Sequence, residues 1–180
     1  IPWPAQVEAA REVLTRLTPR LLDLGLKLAI ETHADFTARE LIELLDRLDE
    51  RAFGVTLDTG NLLMRLDDPI EAVELLAPRV LVTHIKDAVL AFTDRGLCWQ
   101  ARPIGSGILP LPDILACLQY ACASLSSERV YRLPVQVMRF LADDEIICLN
   151  SAFQETGERE KLFSSPSPVL LWTPTGAHAQ

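Results

Sequence analysis

An α/β fold built on a parallel sheet is what this sequence predicts, and three observations carry the prediction. The runs 26–31, 53–58 and 80–85 are apolar at nearly every position, as expected of strands buried on both faces. Segments of helical periodicity lie between them. Each run also carries a polar residue at or next to its end: Glu31, Asp58 and His84.

The elements follow in order. Pro4 to Leu24 reads as a helix, with Val7, Ala10, Val13, Leu14, Leu17, Leu21 and Leu22 at helical spacing. Gly25 stops it. Leu26 to Glu31 is the first strand. Thr37-Ala38-Arg39-Glu40 is a capping box that opens a helix to about Leu48, apolar along Leu41, Leu44, Leu45 and Leu48. Phe53 to Asp58 is the second strand. Asp68 then caps a helix that has Pro69 at its first position and runs to about Leu76, with Pro78 marking its end. Val80 to Ile85 is the third strand. Beyond it the pattern is weaker. Trp99 to Ile104 reads as a short strand, and Gly105-Ser106-Gly107 as a turn. Leu111 to Ala123 reads as a helix, Ser124 to Arg129 as a last strand, and Val137 to Leu141 as helical. Residues 1–150 are expected to form one domain. Residues 151–180, polar and then Ser/Pro/Thr-rich, read as a tail expected to be disordered.

Composition narrows the partners. The net charge is −8, with no basic stripe, which argues against nucleic acid because phosphate contacts need Lys and Arg. No apolar run reaches the ~18 residues of a membrane span, and the N-terminus lacks a signal-peptide pattern. Cys98, Cys117, Cys122 and Cys148 form no CxxC pair, so the expectation is buried or half-buried thiols in a reducing cytoplasm.

Candidate chemistry sits at the strand ends. In parallel α/β folds the carboxyl ends of the strands share a mouth. The intervals 31 to 58 and 58 to 84 are each one strand-plus-helix unit, so Glu31, Asp58 and His84 occupy equivalent positions. Carboxylate and imidazole together suit Mn²⁺, Mg²⁺, Co²⁺ or Zn²⁺. A strand-end acid can equally cap the following helix; three polar residues in register shift the balance toward a metal site. Strand parity extends the set. His33 lies two after Glu31 and reads either as a substrate hydroxyl contact or as a solvated loop residue. Lys86 lies two after His84 and either touches an anionic substrate or pairs with an acid. Asn61 either contacts substrate or caps the next helix. Gly105 and Gly107 read as a tight turn or as backbone close to a ligand.

The segments Ile30-Glu31-Thr32-His33, Val55-Thr56-Leu57-Asp58-Thr59-Gly60-Asn61, Thr83-His84-Ile85-Lys86-Asp87 and Pro103-Ile104-Gly105-Ser106-Gly107 occur in this order. Together they resemble successive blocks of the sugar phosphate isomerase/epimerase family, within the xylose isomerase-like (β/α)₈ TIM barrels. The resemblance covers roughly residues 1–120. It implies a partial barrel, about strands four to eight with intervening helices and an irregular C-terminal tail. At 180 residues the chain falls short of the ~200 that a full barrel needs, and it begins at Ile1. A missing N-terminal half, or completion by a homo-oligomer, is therefore expected.

The resemblance further implies a divalent metal held by Glu31, Asp58, His84 and a final Glu from the last strand. Leu125-Ser126-Ser127-Glu128, followed by Leu133-Pro134-Val135, is similar to the family's closing segment, which makes Glu128 the fourth candidate. Arg129-Val130-Tyr131-Arg132 departs from the family's pattern there. The activity implied is isomerisation or epimerisation of a sugar or sugar phosphate through an enediolate, with Glu31 and Glu128 moving the proton. A dehydratase on the same barrel, of the sugar-acid or inosose type, is the close alternative. An inactive truncated barrel or binding remnant is another. A nuclease of the same superfamily would need more histidines than His33, His84 and His178.

Overall fold

The computed structural model describes residues 1–94, 96–124, 135–137 and 146–148. It opens with α1 (Trp3–Asp23), whose half-buried Leu14, Leu21 and Leu22 rest on the core. Its N-terminus is tied down by Trp3, which donates from Nε1 to Glu40 Oε1 at 3.0 Å and meets the Phe36 ring edge-on. Then come β1 (Leu28–Glu31), α2 (Ala38–Leu45), β2 (Phe53–Asp58), α3 (Pro69–Leu76) and β3 (Val80–Ile85). The capping box at Thr37 and Glu40 is formed in full, and Asp68 accepts from the amides of Ile70 and Glu71. Helix α2 stops at Leu45, short of the expected Leu48.

β1, β2 and β3 pair in parallel, and all six residues of β2 are buried. Leu41, Leu45, Leu57, Val73, Leu76 and Ile114 lie beneath, fully buried, where α2, α3 and α4 (Leu111–Ser124) pack on the sheet. The strands form an open sheet, ordered β1-β2-β3-β6, not a closed barrel among the described residues. Here β6 is Val135–Val137, parallel to β3. Val137, read from the sequence as the start of a helix, therefore lies in a strand. Of the strand expected at Ser124 to Arg129, Ser124 ends α4 and the rest lies outside the described residues, as do 138–141 and the tail.

The register of β2 against β3 contains one irregularity with a large consequence. Val55 faces Val80, but Thr56 faces Val82, so Leu81 is an extra residue. Without it, Asp58 would face Thr83; with it, Asp58 faces His84. Gly54 makes the bulge possible. A Cβ there would lie 2.5 Å from Leu81 Cγ and 2.7 Å from the Arg79 carbonyl oxygen.

A second sheet was not anticipated. β4 (Asp87–Thr93) and β5 (Gly96–Arg102) form an antiparallel hairpin, joined by β7 (Ile146–Cys148). The sequence suggested only a strand at 99–104; the observed strand starts three residues earlier and has a partner. The signal was present: Asp94-Arg95-Gly96 separates two apolar runs, a hairpin pattern. Cys98 is buried in this hairpin and Cys117 is half-buried. No helix among the described residues is long and apolar enough to cross a membrane.

Candidate metal centre

Asp58 is the centre of the site because the strand end around it is over-determined. Its side chain is 0% exposed. Oδ1 accepts from the amides of Gly60 and Asn61 at 3.1 and 3.2 Å, so that oxygen is committed to the turn after β2. Oδ2 accepts no well-aligned hydrogen bond and faces the site. A buried carboxylate oxygen left without a donor is costly unless a cation stands near it. Burial pushes the Asp58 carboxyl up from its ordinary range, while the Lys86 ammonium pulls it down.

Two further side chains converge on it. His84 Nδ1 lies 3.1 Å from Glu31 Oε1 and 3.7 Å from Asp58 Oδ2. Glu31, 43% exposed, stands at the mouth; His84 is 21% exposed. One ligand atom from each of Glu31, Asp58 and His84 falls within 4.8 Å of the other two. The donor set, and a buried Oδ2 that no backbone amide satisfies and that already draws a cation, fit a divalent ion. Lys86 Nζ reaches Asp58 Oδ2 at 2.5 Å, so of the two readings of Lys86 the structure displays pairing with an acid.

Two threonines hold these strand ends, and sequence reasoning passed over both. Thr32 follows Glu31; its hydroxyl accepts from the Asp58 amide at 2.8 Å and donates to the Asp58 carbonyl at 3.1 Å. Thr59 follows Asp58 and repeats the device one unit later. Its hydroxyl accepts from the Lys86 amide at 2.9 Å and donates to the Lys86 carbonyl at 2.6 Å. The signal was the repeated acid-Thr pair, Glu31-Thr32 and Asp58-Thr59. Asn61 is buried and donates from its side-chain amide to the Thr32 carbonyl at 3.1 Å, tying the first two turns together.

Other candidates lie apart. β1 ends at Glu31, so strand parity does not carry on to His33, which pairs at the surface with Asp35 at 3.4 Å. Glu128 lies outside the described residues. The Gly105-Ser106-Gly107 turn belongs to Asp87, a residue not singled out from sequence. Its buried carboxylate accepts from the amides of Ala88, Gly105, Gly107 and Leu109 at 2.9, 3.0, 2.8 and 3.3 Å. Gly107 is needed for that approach, since a Cβ there would overlap the carboxylate. Trp99 of the hairpin donates from Nε1 to the Gly60 carbonyl at 2.9 Å, bracing the turn that holds Asp58.

Successive parallel strands, each delivering one ligand-type side chain to a shared carboxyl end, are the pattern of part of a (β/α) barrel with a candidate metal site at its mouth. The chain belongs to the xylose isomerase-like TIM barrel family, whose model matches residues 3–124. It is 32% identical over 108 residues to the 3-oxo-isoapionate decarboxylase of Pectobacterium atrosepticum, covering 59% of this chain and 39% of that enzyme. Its fold resembles a xylose isomerase-like TIM barrel protein from Mycobacterium smegmatis in complex with magnesium, with TM-score 0.61 and 18% identity; the match covers 89% of this chain and 51% of that one. It also resembles the IOLI protein with a binding zinc atom, with TM-score 0.58 and 19% identity over 91% of this chain and 58% of that one. The chain therefore spans about two-fifths of the length of the curated relatives it matches. The sequence relative is a decarboxylase, and proteins of similar fold include a probable dehydratase and an epimerase-like protein, so the fold does not define one reaction.

Proposed function

We propose that residues 1–150 supply the metal-bearing strands of a barrel enzyme that isomerises or epimerises a sugar or sugar phosphate by proton transfer. The observation that carries this reading is the Glu31, Asp58 and His84 cluster at the carboxyl ends of three adjacent parallel strands. A divalent ion held there, Mn²⁺, Mg²⁺, Co²⁺ or Zn²⁺, supplies Lewis acidity toward a substrate carbonyl. Asp58, buried and fixed, anchors it; His84 supplies the nitrogen; Glu31 stands at the mouth with its carboxylate half-exposed.

Glu31 is the group best placed to take a proton from the carbon next to the carbonyl. Glu128 is the proposed fourth ligand and the partner that returns the proton. Lys86 offers an ammonium to an anionic oxygen of the substrate, and His33 and Asn61 are the remaining proposed substrate contacts. The walls of a complete pocket require further strand-helix units, since these residues correspond to about two-fifths of the curated relative. Likeness to the decarboxylase favours a second reading on the same site. In it the C–C bond to a carboxylate breaks instead of a C–H bond. CO₂ leaves, and the electron pair passes to the neighbouring carbonyl.

Metal analysis of the full chain beside Asp58→Ala tests the site. The unmutated chain is expected to retain a divalent ion, with affinity lowered at least about a hundredfold in the variant, the upper end of the loss caused by removing groups that only orient ligands. Absence of bound metal from the unmutated chain would overturn the reading. Metal-dependent exchange of a sugar C–H with solvent deuterium supports the isomerase; CO₂ release from a 3-oxo acid supports the decarboxylase.

A further inference from the structure

We propose that Lys86 is a built-in competitor for the metal: its ammonium occupies the cation position on Asp58 in the metal-free chain and must withdraw when a divalent ion binds. The proposal rests on the metal-centre reading of Glu31, Asp58 and His84. Three observations support it. First, Asp58 has one oxygen to offer, because Oδ1 is held by two amides and only Oδ2 faces the site. Second, Lys86 Nζ is 2.5 Å from that same oxygen, and the Lys86 side chain is only 12% exposed. Third, the lysine is set in place rather than drifting at the surface. Thr59 grips its amide and its carbonyl. Its stem lies over Gly60, where a Cβ would come within 3.0 Å of Lys86 Cβ and 3.6 Å of Cδ.

Asp58 Oδ2 would be a ligand of the divalent ion, and the ion would then share that oxygen with the ammonium. An ammonium still on that oxygen would then face a double positive charge within a few ångströms, at a carboxylate that is itself fully buried. Like charges at that separation oppose each other strongly. One of the two cations must leave. The lysine stem has four rotatable bonds and can carry its ammonium away while Thr59 retains the backbone. Without a divalent ion the same ammonium compensates the two carboxylates that flank His84. Lys86 therefore stabilises the metal-free form and weakens metal binding, which makes the ion exchangeable.

The test is calorimetric titration of Mn²⁺ into the full chain, the Lys86→Met variant and the Lys86→Arg variant. Lys86→Met is expected to bind Mn²⁺ about tenfold tighter, a change of the size known for groups next to metal ligands. Its metal-free melting temperature should fall and its metal-induced rise in melting temperature should grow. Lys86→Arg keeps the charge and should stay close to the unmutated affinity. Equal or weaker binding by Lys86→Met, with the unmutated chain binding normally, overturns the competitor and leaves the metal centre standing. No binding by either chain overturns both. A measurement on the unmutated chain covers the case of a variant that does not fold. Acetylation of Lys86, followed by mass spectrometry, should be slow without metal and faster with Mn²⁺ present. Unchanged or slower labelling overturns the proposal.

Discussion

The parallel sheet and the antiparallel hairpin meet at a single residue, since β3 ends at Ile85 and β4 begins at Asp87. They treat their acids in opposite ways. In the parallel sheet Asp58 keeps one oxygen off the backbone and turned to the site, where the Lys86 ammonium meets it. In the hairpin Asp87 spends both oxygens on four backbone amides and offers nothing to a ligand. Both acids are buried, yet one turns an oxygen to the proposed metal site and the other is spent on shape. The hairpin also supports the first region, because Trp99 holds the Gly60 carbonyl and Gly60 in turn donates to Asp58. Burial alone does not mark a functional acid; what separates the two is whether their oxygens are already satisfied by the fold.

Removing the structural acid should give the largest effect on stability. Asp87→Ala leaves up to four buried amides without their acceptor, and bonds to a charged group are worth more than neutral ones, so a loss of about 3 kcal/mol or more is expected by denaturant unfolding. Amide exchange should quicken at Gly105, Gly107 and Leu109. Mn²⁺ affinity should change far less than in Asp58→Ala. If Asp87→Ala kept its stability but lost metal as Asp58→Ala does, the contrast between the two acids would be wrong.

The next effect tests how the parallel sheet aligns its ligands. Gly54→Ala forces a methyl group into Leu81 and the Arg79 carbonyl, where the extra residue of the bulge sits. Overpacking of this kind costs about 1–3 kcal/mol. The bulge also sets which residue faces Asp58, so Mn²⁺ affinity should fall along with stability. Lost stability with unchanged affinity would show that the bulge does not place His84.

Much of the first region could be read from the chain, and for a physical reason. A strand buried on both faces must be apolar throughout, and a polar residue at its end then stands out as an interruption. Glu31, Asp58 and His84 announced themselves in that way. The hairpin offers no such contrast. Residues 87–93 carry a buried start and an exposed end, including half-exposed Phe92, and they follow β3 after one residue, so they read as its continuation. Asp87 was hidden for another reason. Its partners are backbone amides, which leave no trace in side-chain identity apart from Gly107. Thr32 and Thr59 were passed over because a hydroxyl after a strand-end acid looks like an ordinary helix cap. The strand parity that points to His33 stops applying where β1 ends at Glu31. The bulge at Leu81 left one clue, a glycine inside a buried strand, which commonly marks a bulge or a close approach of backbone.

A third acid extends the contrast within the parallel region and gives the smallest effect. Asp67 follows the turn after β2 and accepts from the Ala38 amide at 2.9 Å through Oδ2. Burial holds its carboxyl above the usual carboxylate range; the Ala38 amide and Arg65 pull it down, and Glu40 adds to the rise. The direction fixes the pH dependence. Below the unfolded value of about 3.9 both states are protonated and the group is neutral in its effect. As pH rises, the unfolded chain releases its proton first, so stability falls until the pH passes the raised folded value. At pH 7 ionised Asp67 is therefore a small standing penalty. Asp67→Asn keeps an acceptor for Ala38 and removes the buried charge. It should melt higher at pH 7 by about 1–3 °C, the shift expected of less than about 1 kcal/mol in a domain of this size. The gap should close as the pH is lowered below about 4. A variant that melts lower at pH 7, by an amount that does not change with pH, would place Asp67 beside Asp87 as an acid whose bond to the backbone outweighs its burial.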